Sequence, residues 1–242
     1  MLLEGKLAVV TGAGRGLGKS IAKTLAKEGT GLFLIGRSKE SLNDVKAQIE
    51  SDGGCVDIYA ADISDERQVE EIGSILREKL QTVDILINNA GISKEMPFAD
   101  MPMKVWDEIY NVNLRSAVLM MKAILPMMIR QKSGNIVNVG SGAAIRGLPG
   151  SAAYSAAKAG LVCLTQALGD EVRTDGIRVN AICPGPIDTE MFKESARRDY
   201  ILSAGGDVFE PETIANGVLY LVSDMSKGMN SQILTIRGFN RW

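Results

Sequence analysis

Short apolar runs alternate with stretches of helical spacing along most of this chain, and the alternation predicts its elements. Leu7-Ala8-Val9-Val10 reads as a buried strand that stops at Thr11-Gly12, and Ile21, Ala22, Leu25 and Ala26 then mark one face of a helix ending near Lys27. Leu32-Phe33-Leu34-Ile35 gives a second strand closed by Gly36-Arg37, after which Ser38 is placed to cap a helix running to about Ser51. A third strand is expected from Val56 to Ala60, a helix from Asp65 to Leu80, and a fourth strand from Val83 to Ile87. One long helix follows from about Met103 to Arg130, with a kink expected at Pro126, where an interior amide donor is missing. Asn135 to Val139 reads as the fifth strand, Ala152 to Arg173 as the next helix, and Ile177 to Ile182 as the sixth strand. From Pro184 to Gly206 no period holds. The last elements are a helix from about Glu212 to Val222 and a strand from Gln232 to Ile236.

Strands without polar alternation are buried on both faces, the mark of a parallel sheet covered by helices on both sides. The expected fold is therefore α/β, a single doubly wound (Rossmann-type) domain over residues 1–242 with a seven-stranded parallel sheet. The aperiodic segment, residues 186–206, reads as a flap covering the substrate, with a plain surface loop as the alternative.

Composition narrows the chemistry more than the fold. Of the 242 residues 45% are hydrophobic and 23% charged, and the net charge is -2 with no basic cluster, so neither nucleic acid nor an anionic membrane surface is an expected partner. No uninterrupted apolar run approaches the roughly 18 residues that span a bilayer. The chain has no histidine, which removes Ser-His-Asp and Cys-His catalysis and histidine-ligated metal sites, and no metal is expected. Its three cysteines, Cys55, Cys163 and Cys183, are far apart and odd in number, which suggests reduced thiols. Met1 to Lys6 lead directly into a strand without signal-peptide architecture, and a cytoplasmic location is expected.

Two local patterns carry chemistry. Thr11-Gly12-Ala13-Gly14-Arg15-Gly16-Leu17-Gly18 lies between the first strand and the first helix, where glycines let a pyrophosphate approach backbone amides at the positive end of the helix. The acid that commonly grips a ribose 2′-hydroxyl after the second strand is absent: Gly36 and Arg37 stand there, and Arg15 sits inside the glycine turn. Two guanidiniums without a carboxylate suit a 2′-phosphate, which favours NADP(H) over NAD(H). The second pattern is Tyr154-Ser-Ala-Ala-Lys158, with Ser141 upstream at the end of the fifth strand. Four residues are one helical turn, so phenol and ammonium share a face, and the cation is expected to lower a phenol pKa that is otherwise about 10.

Taken in order, TGxxxGxG at Thr11 to Gly18, Asn88-Asn89-Ala90-Gly91, Asn113, Ser141, Tyr154/Lys158 and Pro184-Gly185 followed by Ile187 and Thr189 resemble the short-chain dehydrogenases/reductases over essentially the whole chain. The resemblance implies that Tyr154 is the acid/base, that Ser141 polarises the substrate carbonyl, and that Lys158 tunes the phenol and bonds the nicotinamide ribose. It implies that Asn113 holds a water relaying protons towards Lys158. Gly12, Gly14, Arg15, Gly16, Leu17 and Gly18 would hold the pyrophosphate, Asp62 and Ile63 would border the adenine, and Asn88, Asn89, Ala90 and Gly91 would pass beside the cofactor. Pro184, Gly185, Ile187 and Thr189 would meet the nicotinamide, and Tyr154 and Lys158 would touch the cofactor as well.

The pattern is most similar to the 3-oxoacyl-[acyl-carrier-protein] reductases, which implies a carbonyl or acyl-thioester substrate and a homotetramer or homodimer. Asp175 departs from that pattern, standing where relatives that dock a carrier protein tend to have a basic residue, although Arg173 and Lys132 are near in sequence. The tail Arg237-Gly238-Phe239-Asn240-Arg241-Trp242 departs too, from a common Asp-Gly-Gly. A sugar, polyol or small-ketone dehydrogenase is therefore the alternative, and a non-catalytic NADP sensor or scaffold the rival from another class. Met96, Met101, Met103, Met120, Met121, Met127 and Met128 are read as core or interface packing. Glu194 to Arg198 is read as a solvated face, and Cys183 as a small buried residue rather than a nucleophile.

Overall fold

The computed structural model describes residues 1–80 and 82–238; Phe239 to Trp242, the end of the atypical tail, lie outside the described residues. The elements follow one another as β1 (Leu7–Thr11), α1 (Gly16–Lys27), β2 (Gly31–Gly36), α2 (Lys39–Ser51), β3 (Val56–Ala60), α3 (Glu66–Lys79) and β4 (Ile85–Asn88). The second half adds α4 (Met103–Tyr110), α5 (Ser116–Gln131), β5 (Gly134–Val139), α6 (Gly142–Ile145), α7 (Ala152–Val172), β6 (Ile177–Pro184), α8 (Glu190–Lys193), α9 (Arg198–Ser203), α10 (Pro211–Val222) and β7 (Ile233–Ile236). All seven strands are parallel, in the spatial order β3-β2-β1-β4-β5-β6-β7.

Successive residues of a strand point to opposite faces, so doubly apolar strands need a helical layer on each side. Val10 and Leu34 face the layer of α1, α2 and α10, where they pack with Ile21, Leu25, Ile214 and Val218. Val9, Phe33 and Leu86 face α3, α5 and α7, where they meet Ile72, Met120, Ile124 and Leu161. The four methionines of α5 are core residues, whereas Met103 is exposed. Truncating any of the fully buried aliphatic side chains to alanine costs about 2–5 kcal/mol.

Three departures from the expected elements bear on function. The long helix is interrupted at Asn111–Arg115, where a π turn joins α4 to α5, while α5 continues through Pro126. The stretch 103–131 is long and apolar enough to cross a bilayer by composition, yet it packs as a core helix with one face against the sheet. Ser141 caps a short helix, α6, that was not expected. The aperiodic segment contains two short helices, α8 and α9, and its ends are tied down: Asp188 N donates to Phe209 O (2.9 Å), Phe209 N donates to Pro186 O (2.9 Å), and Gly185 N donates to Ile236 O (2.7 Å). The first helix begins at Gly16, five residues before the periodic stretch that starts at Ile21; elsewhere the expected boundaries hold to within two residues, β6 extending two residues further to Pro184.

The strand order reverses between β1 and β4, since the first three strands build outwards on one side and the rest on the other. At such a switch point the loops leaving the carboxyl ends of the strands diverge and open a crevice. Thr11-Gly12, Asn88-Asn89, Gly140-Ser141 and Gly185 all leave the sheet at that edge.

Candidate active site

The crevice is a cleft of about 600 Å³. Its floor is stitched by Thr11, whose hydroxyl donates to Ile87 O (3.3 Å) and accepts from the amides of Asn89 (3.0 Å) and Ala90 (3.2 Å). Asn89 reciprocates: its Nδ2 donates to Thr11 O (3.0 Å) and Gly12 O (3.2 Å). These bonds hold the ends of β1 and β4 together beneath the glycine turn. Gly18 is forced by that closeness, because a Cβ there would stand 2.1 Å from Gly12 O. Arg15 precedes α1 without a side-chain cap, and no acid lies in the first turn. The leading amide protons of this 12-residue helix are therefore unserved by any side chain and face the cleft with the positive end of the helix dipole. A bound pyrophosphate fits that donor set.

Every position assigned to a dinucleotide from the motif spacing, from Gly12 through Thr189, lies in the wall of this one cleft, with Asn88 the exception. Asn88 is buried, and its Nδ2 donates to Asn138 Oδ1 (2.8 Å), whose Nδ2 donates to Thr165 Oγ1 (2.9 Å). That polar chain ties β4 and β5 to the helix α7 and has a structural purpose. Arg15 and Arg37 are exposed in the wall at one end. The Asp62 carboxylate nearby is occupied by Ser64 N (2.9 Å) and Ser64 Oγ (2.7 Å). Thr189 lies over the glycine turn, its methyl 3.2 Å from where a Cβ on Gly16 would stand, so the flap meets the loop it covers.

At the other end stand Ser141, Tyr154 and Lys158. Ser141 Oγ accepts from Ala143 N (3.1 Å), which leaves its hydroxyl proton to donate elsewhere. Lys158 is buried, donates to Val139 O (2.8 Å), and sits 5.9 Å from the centroid of the Tyr154 ring. Asn113 lies behind the wall in the π turn. Its Nδ2 donates to Ile92 O (2.9 Å) and Ile109 O (2.8 Å), and its Oδ1 accepts from Ile92 N (3.2 Å). Gly91 has to be glycine because a Cβ would meet Asn113 Oδ1 at 2.8 Å, with Lys158 Nζ 3.5 Å away on the same side. Asn113 thus pins the loop after β4 against Lys158 with both of its amide protons committed.

The electrostatics reverse one expectation. Burial holds the Tyr154 phenol above its ordinary pKa; the Ser141 hydroxyl acts in the opposite direction and Cys183 adds to the rise. Lys158 is not among the groups that shift the phenol: burial lowers its own pKa to about 8, with Cys183 acting the other way, so the ammonium is still largely charged at neutral pH but has lost its proton before the phenol would titrate. The low-dielectric cleft therefore favours the neutral forms of both groups, and at neutral pH the phenol keeps its proton. Cys183 is buried as expected, and burial pushes its thiol pKa up.

A depressed lysine pKa has a stability consequence. Between about pH 8 and 10.5 the unfolded chain holds the Lys158 proton and the folded chain does not, so stability from this group rises with pH across that window. Below pH 8 the desolvation penalty is fully present. Lys158→Met is expected to raise the melting temperature of the cofactor-free protein relative to wild type most at pH 7, the gain shrinking towards pH 10. Thermal unfolding at a series of pH values checks this; a pH-independent difference would mean that Lys158 titrates normally.

Several wall residues carried no sequence signal. The run Glu194 to Arg198 is only partly a solvated face: Glu194 and Arg198 are exposed, but Ser195 and Arg197 turn into the cleft. Ser195 Oγ donates to Glu95 Oε1 (2.7 Å), fastening the flap to the loop after β4. Leu148, Ser151 and Ile201 complete that end.

Comparison with known proteins agrees with the cleft. The short chain dehydrogenase family model matches residues 6–199. A 3-oxoacyl-[acyl-carrier-protein] reductase of Thermotoga maritima is 36% identical over 242 residues, covering 98% of each chain. Among solved structures, levodione reductase superposes with a TM-score of 0.93 at 33% identity, covering 98% of this chain and 97% of the other. A putative NAD(P)-dependent gluconate 5-dehydrogenase of Beutenbergia cavernae, solved with NADP bound, gives 0.91 at 31% identity, covering 97% and 96%. With whole-chain relatives at this identity and a family model spanning most of its length, the protein belongs to the short-chain dehydrogenase family of nicotinamide-dependent oxidoreductases.

Proposed function

We propose that this chain is an NADP(H)-dependent enzyme that interconverts a carbonyl and a secondary alcohol, with Tyr154, Ser141 and Lys158 catalytic and Asn113 positioning. A reduced nicotinamide, when bound, supplies the hydride; the rest falls to the chain's own residues. Hydride arrival at the carbonyl carbon puts negative charge on oxygen, which needs a proton and a hydrogen bond as it forms. The Tyr154 phenol delivers the proton, and the free hydroxyl proton of Ser141 orients and polarises the same oxygen. Lys158 adds positive charge at the floor while it is protonated, and Asn113 holds Gly91 against it.

The observation that carries this reading is a protonated phenol beside a donor hydroxyl in the same cleft as an uncapped, acid-free helix N-terminus. Arg15 and Arg37 at the far end support NADP(H) over NAD(H). Exposed Phe98, Met103 and Tyr110, beside the start of the long helix, are apolar surface that a second copy of the chain would cover, which supports a homodimer or homotetramer.

For the substrate, the reductase of T. maritima makes a 3-oxoacyl thioester the first compound to try. A specific observation favours the second reading, a small polar carbonyl. Lys132 is paired with Asp175, so one of the two basic side chains near that position is already engaged by the residue that departs from the carrier-docking pattern. Purified protein is expected to oxidise NADPH with a reactive diketone or an acetoacetyl thioester. Tight NADPH binding without turnover of any carbonyl or alcohol in a broad panel would make the protein a sensor instead.

A further inference from the structure

The flap brings one guanidinium into the cleft that the chain itself leaves unserved. Arg197 lies in the wall, and its Nη1 is sealed from solvent with no hydrogen-bond partner among the described residues. Arg178, also partly buried, is treated differently: it donates to Ser226 O (2.9 Å), Ser226 Oγ (3.1 Å), Met229 O (3.1 Å) and Ser223 O (3.2 Å). Arg115, too, is spent on Glu66 and on Ser64 O. Leaving a charged donor dry and unpaired is costly, and folded chains keep such groups where something else completes them.

The flap around Arg197 is also fastened towards the helix that carries Tyr154. Ser195 Oγ reaches Glu95, and Arg197 N donates back to Ser195 Oγ (3.2 Å). The adjacent Met96 N donates to Gly150 O (2.9 Å), next to Ser151 at the start of the helix that carries Tyr154. This run of contacts ties the backbone at Arg197 to the loop that leads into α7, the helix carrying Tyr154, in the cleft that Ser141 also lines. Among the described residues the guanidinium forms no ion pair, with Glu95 or any other acid, while Glu95 accepts from the Ser195 hydroxyl.

We propose that Arg197 is the specificity residue of this enzyme and that its substrate is a short oxo or hydroxy acid whose carboxylate the flap arginine grips while the carbonyl faces Ser141 and Tyr154. A carboxylate matches the planar fork of a guanidinium, and pairing there would also hold the flap down over the reacting carbonyl. The inference rests on the carbonyl chemistry proposed above.

The experiment compares matched substrates: acetoacetate against methyl acetoacetate, short keto-sugar acids against their esters, and acetoacetyl-CoA, which carries its anionic phosphates at a distance from the carbonyl. Wild type, Arg197→Met and Arg197→Lys are each assayed with a neutral diketone as reference. Wild type is expected to favour the free acid over its ester by at least about tenfold in kcat/KM. Arg197→Met should lose that preference, chiefly through KM, with diketone turnover little changed, and Arg197→Lys should recover part of it. In parallel, acetoacetate should raise the melting temperature of the full chain, with and without NADP+, in wild type but not in Arg197→Met.

Equal losses on acid, ester and diketone would make Arg197 merely structural and overturn the proposal. So would a preference for acetoacetyl-CoA alone, which would assign the arginine to a distant phosphate. Acid-dependent stabilisation without any turnover would uphold the anion site while sinking the carbonyl chemistry. Turnover of the diketone without any acid preference or stabilisation would do the reverse.

Discussion

Tyr154→Phe is expected to lower kcat by about 10²–10⁴-fold, the span of a positioned general acid, while NADPH affinity stays nearly unchanged. The substitution removes one oxygen and keeps the ring, so the packing of α7 against Ser141 and the loop after β4 is preserved. It deletes the acid that delivers the proton in the proposed reaction and leaves the Ser141 hydroxyl in place. Burial raises the phenol pKa in the cofactor-free protein. The acid form is thus the resting form, which suits delivery of a proton to a carbonyl being reduced. Ser141 loses a neighbour but keeps its bond from Ala143 N, so thermal stability should move little. Steady-state kinetics with a diketone, together with NADPH titration by fluorescence, measure the two halves of the statement. Preserved turnover would remove Tyr154 as the proton donor.

That resting state could not be read from Tyr-Ser-Ala-Ala-Lys. The spacing correctly brings phenol and ammonium to one helix face, and on that basis the cation was expected to dominate. What decides the matter is desolvation, which depends on how deeply α7 is packed beneath β5 and β6, and no local pattern encodes that depth. The same division runs through the fold. Doubly buried strands such as Leu32-Phe33-Leu34-Ile35 announce themselves as short apolar runs closed on both sides by glycine, whereas the apolar run Ala117 to Met121 continues with helical spacing. The glycine turn is equally legible, since its spacing is dictated by close backbone approach.

Shorter features escape. The helices α8 and α9 have 4 and 6 residues, fewer than two turns, so periodicity has nothing to act on. The π turn at Asn111–Arg115 adds no residue type that an α-helix would refuse, and so Pro126 looked like the weaker point of the long helix. Arg197 was hidden for another reason. A mixed run of charges reads as solvated, and only the hold of Ser195 on Glu95 turns its middle inwards. Residues fixed by backbone geometry were thus visible in the sequence, and residues fixed by tertiary burial were not.

Arg37→Asp is expected to cost NADPH about 100-fold in kcat/KM and to make NADH the better cofactor. Arg37 follows the last residue of β2, directly after Gly36, and Arg15 leads into α1 across the same wall. Both side chains are exposed and neither forms an ion pair among the described residues, so both are free to meet a 2′-phosphate. A charge-assisted hydrogen bond contributes about 1.5–3 kcal/mol, and replacing the donor by a carboxylate adds repulsion to that loss. The same carboxylate can accept from a ribose 2′-hydroxyl, which is why the change should help NADH and not merely weaken NADPH. Because the arginines are exposed, salt should screen the wild-type preference, and the ratio of kcat/KM for the two cofactors should fall as ionic strength rises. An unchanged ratio in Arg37→Asp would move phosphate recognition to Arg15 or to the α1 amides. A ratio insensitive to salt in wild type would argue that cofactor choice is made by buried contacts and not by these two charges.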